Sequence, residues 1–293
     1  MYDAERLMAP FIPAISATVF AVAPERAQEL VDDVFDKVPW TILFAAKDDK
    51  DTFIAHPTQK LIEARFSGLL SLWAVANAAL LFANEMMIAV RQGKDTIDAN
   101  PQSPAGEAQA YIAVARDLIR APVVAWPASL SEPDINAELG SHSWYVNQLF
   151  LAATAWILLH EVAHVHLAHE AMTTADLRIK QENEADEWAT QWILEKAPED
   201  LRRDFRSVAC AVGLIWVGLS DEIHRGLTTH PHASQRLTAC SRFFPSSVTS
   251  PAMEMALHIL KAVFDPHTSA IVSEHPAEAF DQILHWFRNS SRR

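Results

Sequence analysis

Glycine is scarce in this chain, seven residues in 293, which removes most donors of the positive-φ positions that tight β-hairpins require. A hairpin-rich fold is disfavoured. Cysteine is scarcer still: Cys210 and Cys240 give neither a disulfide framework nor a thiolate metal site, and a reducing compartment suits them. Basic residues are outnumbered, 24 Lys and Arg against 37 Asp and Glu, for a formal net charge of −13. A surface that tracks phosphates needs clustered Lys and Arg, so nucleic acid is not an expected partner. Nor is a secretory leader expected. The opening "MYDAERLMAPFIPAISATVFAVAP" carries Asp3 and Glu5, is interrupted by Pro10 and Pro13, and places Pro24 after its only small-residue cleavage site. The chain is expected in the cytoplasm.

Half of the residues are hydrophobic, enough for a large core. Ala, Leu, Glu and Gln are abundant, which points to helices. The expected fold is mainly α with a minor β-hairpin near the N-terminus, formed by "WTILFAA", "KDDKD" and "TFIAHP" over 40–57. From Thr58 a helical pattern reaches about Gln92. Its apolar stretch Phe66 to Ala83 has membrane-like length, but it contains Asn77, runs into Asn84 and Glu85 and lacks a basic flank. A buried helix is expected, and association with a membrane is not. Val208 to Leu219 is too short to span. Ser103-Pro104 starts a further helix, and 121–141, rich in prolines and turn residues, reads as a surface loop able to cover a cleft. Helices follow at 143–170, 174–196, 198–224, 231–243, 251–265 and 276–288. The division expected is an N-terminal region, 1–142, and a catalytic region, 143–293.

The chemistry concentrates in "ILLHEVAHVHLAHE", residues 157–170. At 100° per residue, Leu149, Ala153, Trp156, Ile157, Ala163 and Leu167 form an apolar stripe that contains His160 and His164. Spaced i and i+4, their rings project from adjacent turns and can aim lone pairs at one ion. Glu161 stands beside them, able to act on water near that ion. Two histidines and a glutamate in a buried stripe are costly unless a partner neutralises them, and a metal is such a partner. His166 and His169 lie off the stripe and read as solvated surface residues.

Catalytic zinc needs three protein ligands and an open position. The continuation HExxHxxGxxH is absent, since Leu167 holds the glycine place and Glu170 the third histidine place. The next helix offers Glu182, Glu184, Asp186 and Glu187. Glu182 faces the buried stripe of that helix best, Asp186 follows on the same side and could accept the outer N–H of a ligand histidine, and Glu184 and Glu187 suit a solvated face.

HExxH followed about eighteen residues later by Glu182-Asn183-Glu184-Ala185-Asp186 resembles the gluzincin proteases, in particular the CAAX prenyl protease and HtpX heat-shock protease family. Their third segment is similar to "THPHASQRL", Thr229 to Leu237. That resemblance implies zinc, one ion per chain, on His160, His164 and Glu182, with Glu161 as base, His230 as oxyanion donor and Arg236 as a brace. Length, composition and motif order look more like the phage-exclusion peptidases of the Lit family, which implies an endopeptidase that cuts a chosen cytoplasmic protein such as elongation factor Tu. An activating partner is expected, because an unrestrained protease would share a compartment with essential proteins. A membrane-associated prenyl protease type and a non-catalytic regulatory zinc module are the alternatives. Glu161 speaks against the module, since a structural site needs no base.

Overall fold

The computed structural model describes residues 3–35, 41–45, 52–56, 59–94, 97, 100–121, 123–169, 174–223, 231, 233–245 and 251–264. The fold is mainly α with a small sheet. Three short helices, α1 (Asp3–Met8), α2 (Ile12–Ala21) and α3 (Ala27–Leu30), precede three strands, β1 (Thr41–Ala45), β2 (Phe53–His56) and β3 (Leu61–Arg65). Among the described residues seven helices follow: α4 (Phe66–Arg91), α5 (Pro104–Arg120), α6 (His142–His166), α7 (Ala175–Leu194), α8 (Leu201–Ile223), α9 (Ala233–Ser241) and α10 (Pro251–Phe264). The expected helix at 276–288 lies outside the described residues.

Several starts follow from local chemistry. Ser103 caps α5 by accepting from the Gly106 N–H, with Pro104 at the first helical position, where its missing donor costs nothing. Ser141 caps α6 through the Trp144 N–H, and Thr174 caps α7 through the Leu177 N–H.

The sheet departs from the expected hairpin. Its order is β1-β3-β2, so β1 and β2 do not pair with each other. Between them lies β3, parallel to β1 and antiparallel to β2. Leu61-Ile62-Glu63-Ala64-Arg65 reads locally as helix because Leu, Glu, Ala and Arg favour it. Burial of Ile62 and Ala64 on one face overrides that propensity.

Helix α4 runs through the interior, and 89% of its most apolar window is buried in the protein itself. Both α4 and α6 are long and apolar enough to cross a membrane by length and composition alone. Around α6 pack α2, α4, α7 and α8, and from Ala152 to His160 every residue is buried. The helix is therefore buried on all sides over these turns rather than along one stripe, as expected of a helix enclosed by others. At Gly213 of α8 a Cβ would stand 2.8 Å from the Trp156 ring, so glycine there lets α8 close onto α6. One hydrophobic core runs from Ala4 to Val263 and crosses 142/143 without a break.

The segment 123–141 has neither helix nor strand. It does not lie over the histidines. Asn147 donates its Nδ2 hydrogen to the Asp134 carbonyl at 2.7 Å, and thirteen residues of helix, ~20 Å, separate Asn147 from His160. Trp126 and Leu130 anchor the segment in the core, which contradicts the expectation of a cover for the cleft.

Candidate metal centre

Helix α6 carries His160 and His164 on its last turns, and α7 packs alongside with Glu182 facing them. The two Nε2 atoms stand 3.1 Å apart. Glu182 offers Oε2 at 3.4 Å from His160 Nε2 and Oε1 at 3.6 Å from His164 Nε2. Three donors ~2.0–2.1 Å from one ion at tetrahedral angles would be ~3.3 Å apart, so the observed edges fit such a group. Among the described residues, this is the only set of three or more His, Cys, Asp or Glu side chains whose donor atoms converge in this way. His160 is 6% and Glu182 7% exposed, so water enters little into the balance.

The protonation pattern shows what the cluster needs. Burial by itself would depress His160, but the carboxylates of Asp186 and Glu182 outweigh it and raise the ring to about 10. His164 is lowered to about 3, by burial first and then by the charge on His160. One imidazole carries a proton between converging donors, and the other is held neutral. A cation between them serves the same balance with both rings neutral.

Asp186 lies behind His160, its Oδ1 2.9 Å from Nδ1, on the side away from Glu182. Its carboxyl remains low despite complete burial, because Arg236 and His160 oppose the desolvation. Arg236 of α9, 3% exposed, donates through Nε at 2.6 Å and Nη2 at 2.7 Å to the two Asp186 oxygens. It also stands 3.8 Å from Glu182. A carboxylate on the outer nitrogen of a ligand histidine fixes its tautomer and orientation.

Glu161 is one residue on from His160, and burial raises its carboxyl above the ordinary value. Strand β2 packs against α6, and the Ala55 backbone partly offsets the effect of burial on Glu161, so the sheet reaches the site. The bond from Arg65 N–H to the Thr52 carbonyl sets the antiparallel phase: Ile54 and His56 turn their backbone groups toward β3, and Phe53 and Ala55 turn theirs outward. Among the described residues no strand pairs with that outer edge.

Other expected positions divide. Leu167 ends α6 and is 39% exposed instead of continuing the apolar stripe. His166 lies on the surface against the Trp188 ring. Glu187 pairs with Arg242 at 2.7 Å. His169, expected in solvent, is drawn in: its Nδ1 is 2.8 Å from His164 Nδ1, and its Nε2 is 3.4 Å from Oε2 of Glu184. His230, the expected oxyanion donor, lies outside the described residues. The contributions of Ala55 and His169 carry no motif in the sequence; the first is a backbone group and the second depends on where α6 stops.

The family described as Peptidase U49 matches residues 62–256 of this chain. Cell death peptidase of Escherichia coli (strain K12) is 28% identical over 285 residues, which cover 92% of each chain. No solved structure matches the chain.

Proposed function

The chain belongs to the Peptidase U49 family, and we propose that it is a zinc-dependent endopeptidase of the gluzincin type that cuts a chosen cytoplasmic protein. The observation that carries this reading is the convergence of His160, His164 and Glu182 with a carboxyl, Glu161, beside them. These three residues would hold zinc, which when bound polarises the scissile carbonyl and acidifies water.

The remaining chemistry belongs to the chain. Glu161, whose carboxyl burial holds above its ordinary value, takes a proton from water and delivers it to the departing amine. The Ala55 backbone favours its charged form. Asp186 and Arg236 hold His160 in place, and His230 donates to the developing oxyanion. An extended substrate segment can add to the outer edge of β2 through the Phe53 backbone groups. Edge pairing alone is tolerant of sequence, so a chosen substrate calls for a further selecting contact, which an activating partner would supply. Cys210 and Cys240 are free and buried, which suits a reducing compartment.

The test is to incubate zinc-loaded wild type and Glu161→Gln with bacterial lysate and with casein, then to compare fragments by mass spectrometry. We expect a small set of wild-type cleavages in lysate, lost in Glu161→Gln by ~10²–10⁴ in rate. The same fragments at the same rate in both samples would refute the base assignment. Rapid general digestion of casein would refute the claim of a chosen substrate.

A further inference from the structure

We infer that His169 and Glu184 are positioning residues of the metal centre, holding His164 in the tautomer and orientation that a ligand needs. This rests on the metal reading given above. His164 has two ring nitrogens, and its Nε2 faces the His160 Nε2 and the Glu182 carboxylate. Its lone pair must point there, so its proton sits on Nδ1. That nitrogen is 2.8 Å from Nδ1 of His169, which must accept. A neutral imidazole that accepts at Nδ1 carries its own proton on Nε2, and His169 Nε2 lies 3.4 Å from the Glu184 carboxylate. The direction of the chain is thereby fixed: His164 donates to His169, and His169 is directed at Glu184. It parallels the support that Asp186 gives His160, with one imidazole interposed.

The backbone is bent to build it. Helix α6 stops at His166, and Ala168 takes φ +55°, a conformation that a residue with a Cβ rarely adopts. The turn closes through the His169 N–H on the His164 carbonyl at 2.8 Å. Its result is to return the His169 ring against His164, with centroids 5.0 Å apart and only 7% of the His169 side chain exposed. Strain of this kind persists where the surroundings require the placement. Glu184, despite standing on the outer side of α7, is where that ring's second nitrogen ends.

Zinc affinity, measured by competition with a chromogenic chelator, tests the inference without any assay of activity. His169→Ala should bind zinc ~10–100-fold more weakly than wild type, the usual loss when the support of a ligand histidine is removed. His169→Asn keeps an oxygen acceptor where Nδ1 stands and should recover most of that affinity. Urea unfolding of the metal-free proteins in EDTA should be the same for His169→Ala and wild type, since the role is toward the metal rather than the fold. An affinity of His169→Ala within about twofold of wild type, well short of the usual loss, would overturn the inference and leave the metal reading intact. Equal loss in the Ala and Asn variants would overturn it as well. Wild type that binds no zinc would overturn both.

Discussion

Replacing Arg236 with methionine should destabilise the metal-free protein by about 3–5 kcal/mol. Arg236 and Asp186 are 3% and 0% exposed, and two short bonds join them. With charge centres ~4 Å apart and an effective dielectric of ~20, their attraction is about 4 kcal/mol. Desolvation of the two ions offsets much of this, so the pair as a whole adds little to stability. Removing one partner leaves the desolvation of the other uncompensated. Asp186 then retains only His160 as a counter-charge, which places the loss toward the lower end of the range. Asp186→Asn should also be costly alone, since it leaves a buried guanidinium with the more distant Glu182 carboxylate, 3.8 Å away. The double variant should be about 2–3 kcal/mol less destabilised than the sum of the two. Urea unfolding in EDTA, followed by the fluorescence of the nine tryptophans, measures all four proteins. A loss below about 1 kcal/mol for Arg236→Met, or simple additivity, would refute the argument, because neither outcome is compatible with a buried, coupled pair.

Gly213→Ala should cost about 1–3 kcal/mol through overpacking, since the new methyl would stand 2.8 Å from the Trp156 ring; thermal unfolding checks it, and a neutral result would mean that α6 and α8 can separate freely. Glu29 is lowered from 4.5 to about 2, first by Arg26 and then by Lys196. Its folded value lies below its unfolded one, so its contribution is fully present above pH 4.5 and is lost as the pH falls toward 2. The gap in stability between wild type and Glu29→Gln, about 0.5–1 kcal/mol for a partly exposed pair, should hold from pH 5 to 7 and close on acidification; a gap that widens in acid would reverse the assignment.

The chemistry of the centre was more legible in the sequence than its frame. HExxH fixes which residue types can converge, and the i, i+4 spacing places both rings on one side of any helix. Glu182 and Asp186 could be singled out because they fall toward the apolar side of the next helix. The stripe on α6 was less informative than it looked, since its middle turns are buried on every side. Strand β3 was hidden because its residues favour helix locally and only pairing with two neighbours makes it a strand. The place of the Ala55 backbone beside Glu161 depends on that pairing. His169 was hidden by a single backbone angle: with the helix drawn to residue 170 it points to solvent, and with Ala168 at φ +55° it meets His164. The segment 123–141 precedes α6 in sequence but, because α6 is long, sits at the end of it remote from the histidines.

Whether His160, His164 and Glu182 hold zinc is decided by the zinc content of five proteins. Wild type, Glu161→Gln, His160→Ala, His164→Ala and Glu182→Gln are loaded with zinc, dialysed against metal-free buffer and analysed by elemental mass spectrometry. About one zinc per chain is expected in wild type and in Glu161→Gln, and little in the other three, because two ligands hold zinc poorly. Equal zinc in all five proteins, none in wild type, or loss in Glu161→Gln with retention in Glu182→Gln would contradict this assignment.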